Sequence, residues 1–314
     1  MQKTGAIDTA RRANLFPGLA SHFRFEYLAI ATITLTYGLI VLGGAVRATD
    51  SGTACPDWPL CHGQVFPRLE GHVLVEYSHR LVASIVGLLI FATAIWAWRR
   101  NRNDSLVRGV ALLATVLLVA QVLVGAATVD TETNASVVAL HLSIALTLLA
   151  TLIVLGLADS RSYIETPKEL PVLPIVVALG AFALVISGAY VSQEGAGLAY
   201  ADWPLFNGKL VSAGGRLADL HYAHRLLAAG LGVLVLALAS ATWRREKRPV
   251  LIVAVAVAVA IYIAQVFVGA ANIWFTLATP LRILHLALAS ALWGVLAFTS
   301  AWSYLRPGTR KPTT

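Results

Sequence analysis

The chain has 314 residues, of which 58% are hydrophobic and 13% are charged, and its formal net charge is +8. Soluble domains carry about 25% charged residues, so this composition excludes a soluble globular protein and is typical of a membrane protein with several spans. The positive charge does not indicate nucleic-acid binding, because most basic residues lie at the ends of apolar segments, where membrane topology and anionic lipids account for them.

Eight apolar segments are long enough to cross about 30 Å of hydrocarbon, which takes roughly 20 residues in an α-helix. They lie near 27–46, 72–98, 107–129, 136–158, 171–191, 219–242, 250–271 and 280–303. The sequence therefore predicts an all-α integral membrane protein with eight transmembrane helices.

The distribution of basic residues predicts the orientation of these helices. Residues 1–26 are polar and lack the pattern of a secretory signal, so we expect them to form a cytoplasmic tail. Of the 24 lysine and arginine residues, 17 fall in the two tails and in the loops after the second, fourth and sixth spans. Because basic residues favour the cytoplasmic side, we expect both termini in the cytoplasm.

The first half of the sequence is repeated in the second half at an offset of 144 or 145 residues. The repeated elements are Asp-Trp-Pro-Leu at 57–60 and 202–205, Tyr-x-His-Arg at 77–80 and 222–225, the stretches 121–126 and 265–270, and His141 with His285. Since each half contains four spans, the repeats are parallel and related by an axis along the membrane normal. Small residues along the spans would let the helices approach closely; they include Gly43, Gly44, Gly125, Gly188 and Gly269.

We therefore expect two pseudo-symmetric parallel four-helix bundles. The first bundle would comprise residues 27–158 and the second residues 171–303. A cytoplasmic linker at 159–170 would join them, and residues 304–314 would form a cytoplasmic tail.

Five of the eight histidines lie inside predicted spans, where an ionisable side chain is costly and usually marks function. At 1.5 Å per residue, His79 and His141 both lie roughly 8–10 Å below the outer membrane boundary. His224 and His285 lie at matching depths in the second half. Two imidazoles at one level suit a six-coordinate heme iron, whereas zinc usually takes three or four ligands. The two pairs predict two heme sites, and the alternative for each histidine is a hydrogen bond across its bundle.

An arginine directly follows the histidine in the second and sixth spans. A guanidinium near the outer boundary is a suitable partner for a heme propionate, which makes Arg80 and Arg225 candidate propionate contacts. An arginine at this depth can equally extend to the lipid headgroups, and the sequence does not decide between the two.

The two halves differ at one position beside these histidines. Glu76 lies three residues before His79 and shares its helix face, whereas the second half has His221 there. A carboxylate at this place could exchange protons with a substrate or stabilise positive charge that develops on a reacting carbon. It could also be a structural partner of Arg80. The residues favour a chemical role for Glu76, which makes it the candidate catalytic residue, and leave the structural role open.

The only two cysteines of the chain, Cys55 and Cys61, lie in the first outer loop, where the second half has Tyr200 and Phe206. They can form a disulfide if their Cα atoms come within about 7 Å, and the outer side of a membrane permits one. A structural disulfide, a redox-active pair and two unrelated cysteines all stay open. The presence of both cysteines in the half that contains Glu76 favours a redox role.

The sequence resembles the heme A synthase family over nearly its whole length. The resemblance rests on Glu-Tyr-Ser-His-Arg at 76–80, on the histidines of spans 2, 4, 6 and 8, and on Cys-Pro-Asp-Trp-Pro-Leu-Cys at 55–61. It implies oxidation of a methyl group of heme O to a formyl group, which yields heme A for terminal oxidases. It also implies roles for five residues: His79 and His141 would hold the substrate heme, His224 and His285 would hold a heme b cofactor, and Glu76 would be the essential carboxylate.

The resemblance further implies partners and leaves two alternative functions. A farnesyltransferase that produces heme O and the assembly machinery of terminal oxidases are the implied partners, together with the lipid bilayer and an unidentified electron carrier. A homo-oligomer stays open. One alternative is a diheme b-type electron-transfer cytochrome without substrate chemistry. The other, a parallel-repeat transporter, is disfavoured because its site would lie at the midplane between the halves.

Overall fold

The computed structural model describes residues 25–159, 164–165, 172–212 and 214–307, which contain eight α-helices long and apolar enough to cross a membrane. They are α1 (Phe25–Ala48), α2 (Gly71–Arg100), α3 (Ser105–Asp130), α4 (Ala135–Asp159), α5 (Val172–Gln193), α6 (Arg216–Arg245), α7 (Pro249–Trp274) and α8 (Thr279–Tyr304). All eight predicted spans are confirmed. Most helices extend beyond the apolar segments because polar residues at the membrane boundary continue the helical hydrogen bonding.

Two very short strands accompany the helices. β1 (Ile164–Glu165) and β2 (Arg306–Pro307) pair antiparallel, so the chain after α4 meets the chain after α8. Most of the predicted tail at 1–26, the linker at 159–170 and the tail at 304–314 lies outside the described residues. Their cytoplasmic assignment stays a prediction.

Two long loops and two short turns lie on one side of the helices. The long loops are 49–70 and the described part of 194–215, which omits residue 213, and the short turns are 131–134 and 275–278. Each short turn has two consecutive residues with positive φ, so the two halves reverse direction with the same local geometry. We call this the disulfide side, because loop 49–70 contains Cys55 and Cys61.

Helix packing follows the same order in both halves. In the first half each helix packs on the next and α4 returns to α1; in the second half each helix packs on the next and α8 returns to α5. The halves meet through α1, α4, α5 and α8. The described helices thus form two adjoining groups of four, while the pseudo-symmetry between these groups stays a prediction.

The largest buried cluster of apolar residues lies where the halves meet. Leu146 and Leu149 of α4 pack there against Val177 of α5 and Leu296 of α8. The indole N–H of Trp293 donates a hydrogen bond of 2.9 Å to the carbonyl oxygen of Leu146, so α8 is also bonded to α4. Helices in lipid associate through such packing and hydrogen bonds rather than through the hydrophobic effect. The junction therefore sets the position of one half relative to the other.

Polar contacts reinforce this junction on the disulfide side. The side chain of Arg47 donates to the side-chain oxygen of Gln193. Gln193 in turn donates to the carbonyl oxygen of Thr133 at 3.1 Å, and Arg282 donates to the carbonyl oxygen of Ala48 at 3.0 Å. These bonds connect the ends of helices from both halves close to the level of the predicted sites.

Candidate functional site

Each of the four predicted iron ligands packs against a glycine on the preceding helix. The pairs are Gly43 with His79, Gly125 with His141, Gly188 with His224, and Gly269 with His285. In every pair, a Cβ atom added to the glycine would lie 3.1 Å from Cε1 of the imidazole, which is closer than ordinary van der Waals contact. A Cβ atom at any of these positions would therefore require the facing ring to shift by a few tenths of an ångström. The glycines do more than let the helices approach, since each leaves its histidine the space that it occupies.

The four imidazoles form two pairs, one in each half. His79 interacts electrostatically with His141, and His285 interacts with His224. The Nδ1 atoms of His79, His141 and His285 are buried and have no hydrogen-bond partner among the described residues. An unpartnered buried polar atom costs about 1–3 kcal/mol, so such atoms call for a functional explanation.

These residues fit the axial ligands of a heme iron. A heme needs two imidazoles on different helices and obtains its other four iron ligands from the porphyrin. The contacts with the glycines also show that each imidazole ring occupies a defined position against the neighbouring helix.

Glu76 is buried on the same helix, with 4% of its surface exposed, and both of its oxygens have partners. Oε1 lies 2.5 Å from Nη2 of Arg80, and Oε2 accepts a hydrogen bond of 2.8 Å from the backbone N–H of Cys55. A buried charge is tolerated only when it is paired in this way. The carboxylate is therefore held between its own helix and the cysteine loop.

Arg80 binds this loop through its backbone. Nη1 donates to the carbonyl oxygens of Asp57 and Leu60 at 2.6 and 2.7 Å, and Nη2 donates to the carbonyl oxygen of Cys55 at 2.8 Å. Together with the bond to Glu76, these contacts occupy both Nη atoms. The structure thus assigns Arg80 a loop-positioning role that sequence reasoning missed, and its contact with a propionate stays a prediction.

Arg225 has the matching place in the second half but fewer partners. Its Nη1 donates to the carbonyl oxygens of Asp202 and Leu205 at 3.1 and 2.8 Å, and its Nε donates to Nε2 of His221 at 3.0 Å. Its Nη2 is buried without a hydrogen-bond partner among the described residues. His221 accordingly takes the place of Glu76, and its ring packs on Tyr200 with the ring centroids 5.6 Å apart.

The loops above the two sites share a backbone pattern. Asp57 accepts hydrogen bonds from the backbone N–H groups of Gly63 and His62, and these bonds hold the pKa of its carboxyl below the usual value. Asp202 accepts the equivalent bonds from Gly208 and Asn207, and its pKa is lowered in the same way. The two loops therefore share this backbone pattern, although only the first contains cysteines.

The loops differ in what closes them. Cys55 and Cys61 form a disulfide with their Cα atoms 4.7 Å apart, and both residues are fully buried. This confirms the disulfide and excludes two unrelated cysteines. At the matching positions, the ring of Tyr200 contacts the ring of Phe206 edge to face at a centroid distance of 5.0 Å.

Two polar neighbours of the histidines were not predicted from the sequence. Ser187 Oγ lies 2.8 Å from Nδ1 of His224, and Gln121 Nε2 lies 3.2 Å from Nε2 of His141. The repeat contained a signal for Ser187, because this residue directly precedes Gly188 whereas Leu42 precedes the matching glycine. Comparing the residues next to each repeated glycine would have found it.

Known proteins resemble this chain over most of its length. The COX15-CtaA family, described as cytochrome oxidase assembly protein, matches residues 26–74 and 69–297. A heme A synthase of Symbiobacterium thermophilum is 34% identical over 273 residues, which cover 83% of this chain and 89% of that protein. A heme A synthase of Exiguobacterium sibiricum is 32% identical over 279 residues, which cover 85% of this chain and 92% of that protein. A heme A synthase of Alkalihalophilus pseudofirmus is 29% identical over 286 residues, which cover 88% of this chain and 96% of that protein. The chain belongs to the COX15-CtaA family.

Proposed function

We propose that this protein is a heme A synthase, a membrane oxidoreductase that converts the methyl group of heme O into the formyl group of heme A for terminal oxidases. Family membership and similarity to several heme A synthases over more than four fifths of the chain support this function. The observation that supports it most strongly is a difference between the halves. Each half has two histidines that pack against glycines, and beside one histidine of the first half lies a buried carboxylate, Glu76.

Within this function, the two histidine pairs take different ligands. His79 and His141 hold the substrate heme O, because Glu76 lies one helical turn from His79 in the same half. His224 and His285 hold heme b, since the second half has no carboxylate at the matching position. When bound, heme b supplies one-electron redox chemistry.

Glu76 acts on the methyl carbon of the substrate as that carbon is oxidised. Water supplies the oxygen atom, first giving an alcohol and then a hydrated aldehyde, which loses water to leave the formyl group. Electrons and protons leave the substrate at each oxidation. A fixed carboxylate stabilises positive charge on the carbon, and its oxygens can accept a proton from the attacking water. The bonds from Arg80 and from the N–H of Cys55 hold that carboxylate in one orientation.

The two arginines are unequal candidates for propionate binding. Arg225 keeps an unpartnered, buried Nη2 group, and a charged oxygen would satisfy it. Both Nη groups of Arg80 are already bonded to the cysteine loop and to Glu76. We therefore propose Arg225 as the propionate contact of the heme b site, with Arg80 contributing mainly through the loop.

The orientation and partners of the protein follow from the same proposal. The disulfide side faces the outside of a prokaryotic cytoplasmic membrane, where disulfides persist, and the basic ends of α2 and α6 face the cytoplasm. A heme O-producing farnesyltransferase would supply the substrate and the assembly machinery of terminal oxidases would receive the product. An electron carrier must remove the electrons released.

Pigment analysis of the purified protein tests this function. Extraction should yield heme b together with heme O, its hydroxylated derivative or heme A. Two equivalents of heme b per chain, without any of the other three, would instead support a diheme electron-transfer cytochrome. The second result would contradict the proposal directly, because it leaves Glu76 without a substrate.

A further inference from the structure

We infer that Ser187 positions His224 for its iron, an inference that rests on the proposed heme b site. Ser187 lies on α5, and its hydroxyl oxygen is 2.8 Å from Nδ1 of His224 on α6. The same oxygen is 2.8 Å from the carbonyl oxygen of Leu184. The hydroxyl group thus has two neighbours, one on its own helix and one on the next.

The directions of these two hydrogen bonds fix the imidazole tautomer. A carbonyl oxygen only accepts, so the single hydroxyl hydrogen of Ser187 is donated to Leu184. The hydrogen between Ser187 and His224 must then belong to the imidazole, which donates from Nδ1. Nε2 consequently carries the free lone pair, and it is the nitrogen available to bind iron.

This contact is found at one of the four predicted iron ligands. The Nδ1 atoms of His79, His141 and His285 have no hydrogen-bond partner among the described residues. The residue of the first half that matches Ser187 is Leu42, which offers no acceptor. The glycines that face His79 and His224 leave the rings the same space, since a Cβ atom at Gly43 or Gly188 would lie 3.1 Å from the imidazole Cε1 in each case. The four rings are therefore held alike by glycines, and within the described part of the chain His224 alone among them has a hydrogen-bond partner at Nδ1, whereas His141 has Gln121 at Nε2.

A hydrogen bond at Nδ1 changes what the imidazole does to a bound iron. It holds the ring in one orientation and makes Nε2 a stronger electron donor, and loss of such a partner typically weakens metal binding about 10–100-fold. Stronger donation favours ferric over ferrous iron and so lowers the midpoint potential. A permanently bound cofactor benefits from a fixed ligand, whereas a substrate heme has to leave after each reaction.

A purely structural role for Ser187 predicts a different result. Serines in membrane helices often bond only a carbonyl of their own helix, as Ser300 of α8 does with Leu296 at 2.9 Å. If Ser187 acted in this way alone, its removal would leave the properties of heme b unchanged. Ser300→Ala is therefore the matched control variant for Ser187→Ala.

The test compares purified Ser187→Ala, Ser187→Thr and Ser300→Ala with the unsubstituted protein. We expect Ser187→Ala to raise the midpoint potential of heme b and to speed its transfer to apomyoglobin about 10–100-fold. Ser187→Thr, which keeps a hydroxyl group, should restore both properties, and Ser300→Ala should match the unsubstituted protein. If Ser187→Ala does not accumulate, Ser187→Cys should shift both properties in the same direction, because a thiol is a weaker acceptor.

Two outcomes would overturn the inference, and they are distinguishable. Unchanged potential and transfer rate in Ser187→Ala, with heme b still lost in His224→Ala, would contradict the role of Ser187 and leave the proposed function intact. Full retention of heme b in His224→Ala would show that His224 does not hold this cofactor. That second result would overturn the proposed heme b site together with the inference.

Discussion

The loop between α1 and α2 and the loop between α5 and α6 have the same backbone pattern and different closing contacts. In each loop an aspartate accepts two backbone N–H groups and a conformationally similar turn follows, at Cys61–Gln64 in the first loop and Phe206–Lys209 in the second. A disulfide closes the first loop and an aromatic contact closes the second. The repeated features therefore build the fold, and the unrepeated ones are candidates for function.

The same distinction holds on the helices below the loops. Glu76 in the first half is replaced by His221, and Leu42 in the first half is replaced by Ser187. The first half thus has a buried carboxylate, tied to the disulfide loop through the N–H of Cys55. The second half has a histidine fixed by a hydroxyl group. Under the proposed function, the first half would react with its heme and the second half would retain its heme.

The largest expected effect comes from making the first half resemble the second. Replacing Glu76 with alanine or histidine should abolish heme A formation, a loss of about 100-fold or more, because it removes the charge that we propose to act on the methyl carbon. Heme b content should not change, since His224 and His285 are untouched. Chromatography of extracted pigments measures both quantities.

Glu70 provides the control for this substitution. It directly precedes α2, is exposed, and pairs with Arg68 at 3.3 Å on the surface. Exposed ion pairs contribute little, so Glu70→Ala should convert heme O normally. Full conversion of heme O in Glu76→Ala would contradict the catalytic role assigned to Glu76.

A second test asks whether each glycine that packs against a histidine affects only the heme site of its own half. Gly43→Ala should lower the content of substrate heme, and Gly188→Ala should lower the content of heme b, because in each case the added Cβ atom displaces the facing imidazole. The expected loss is severalfold. Pigment extraction from purified protein gives the stoichiometry of each heme.

Gly38 and Gly230 are the matched controls, since a Cβ atom added at either position would meet nothing within 4 Å. Alanine also favours a helix over glycine by roughly 1 kcal/mol, so these variants should be at least as stable as the unsubstituted protein. Equal loss of both hemes in Gly43→Ala would show that the two sites are not independent.

Replacing both cysteines with serine should have a smaller effect. Without the disulfide, the N–H of Cys55 no longer holds Oε2 of Glu76 in a fixed position, and we expect heme O conversion to fall about 10-fold. Heme b content should stay constant, because the second loop contains no cysteine. Steady-state conversion and pigment stoichiometry measure the two effects.

Tyr200→Leu is the matched variant in the second loop. That substitution removes the aromatic closure of the second loop, so it should perturb the surroundings of Arg225 and His221 without slowing chemistry in the first half. An unchanged rate in the double-cysteine variant would mean that the disulfide has only a structural role, which sequence reasoning left open.

Much of this arrangement could be predicted from the sequence, for physical reasons. A helix that crosses hydrocarbon needs about 20 apolar residues, so the eight spans can be identified from the long apolar segments of the sequence. Histidines in those spans are costly, so His79 and its counterparts stand out by residue type and position alone. The bonds of Arg80 to three carbonyl oxygens depend on how loop 49–70 folds over α2, and the contact of Ser187 depends on the orientation of one imidazole. Residue spacing does not express the contacts of Arg80, and for Ser187 the repeat marks the unmatched residue beside Gly188 but not its contact with His224.

The smallest expected effect concerns the feature that the two loops share. The pKa of Asp57 and that of Asp202 are lowered by backbone N–H groups, so each charged carboxylate stabilises its folded loop. This stabilisation is complete above the pKa of the unfolded chain, about 3.9, and is lost as the pH falls through the lower pKa of the folded loop. Limited proteolysis in detergent should therefore cut both loops faster at pH 3 than at pH 6. Asp57→Asn should speed cleavage at pH 6 in the first loop alone, and Asp202→Asn should do so in the second alone. A pH response confined to the second loop would mean that the disulfide, rather than Asp57, governs how the first loop folds.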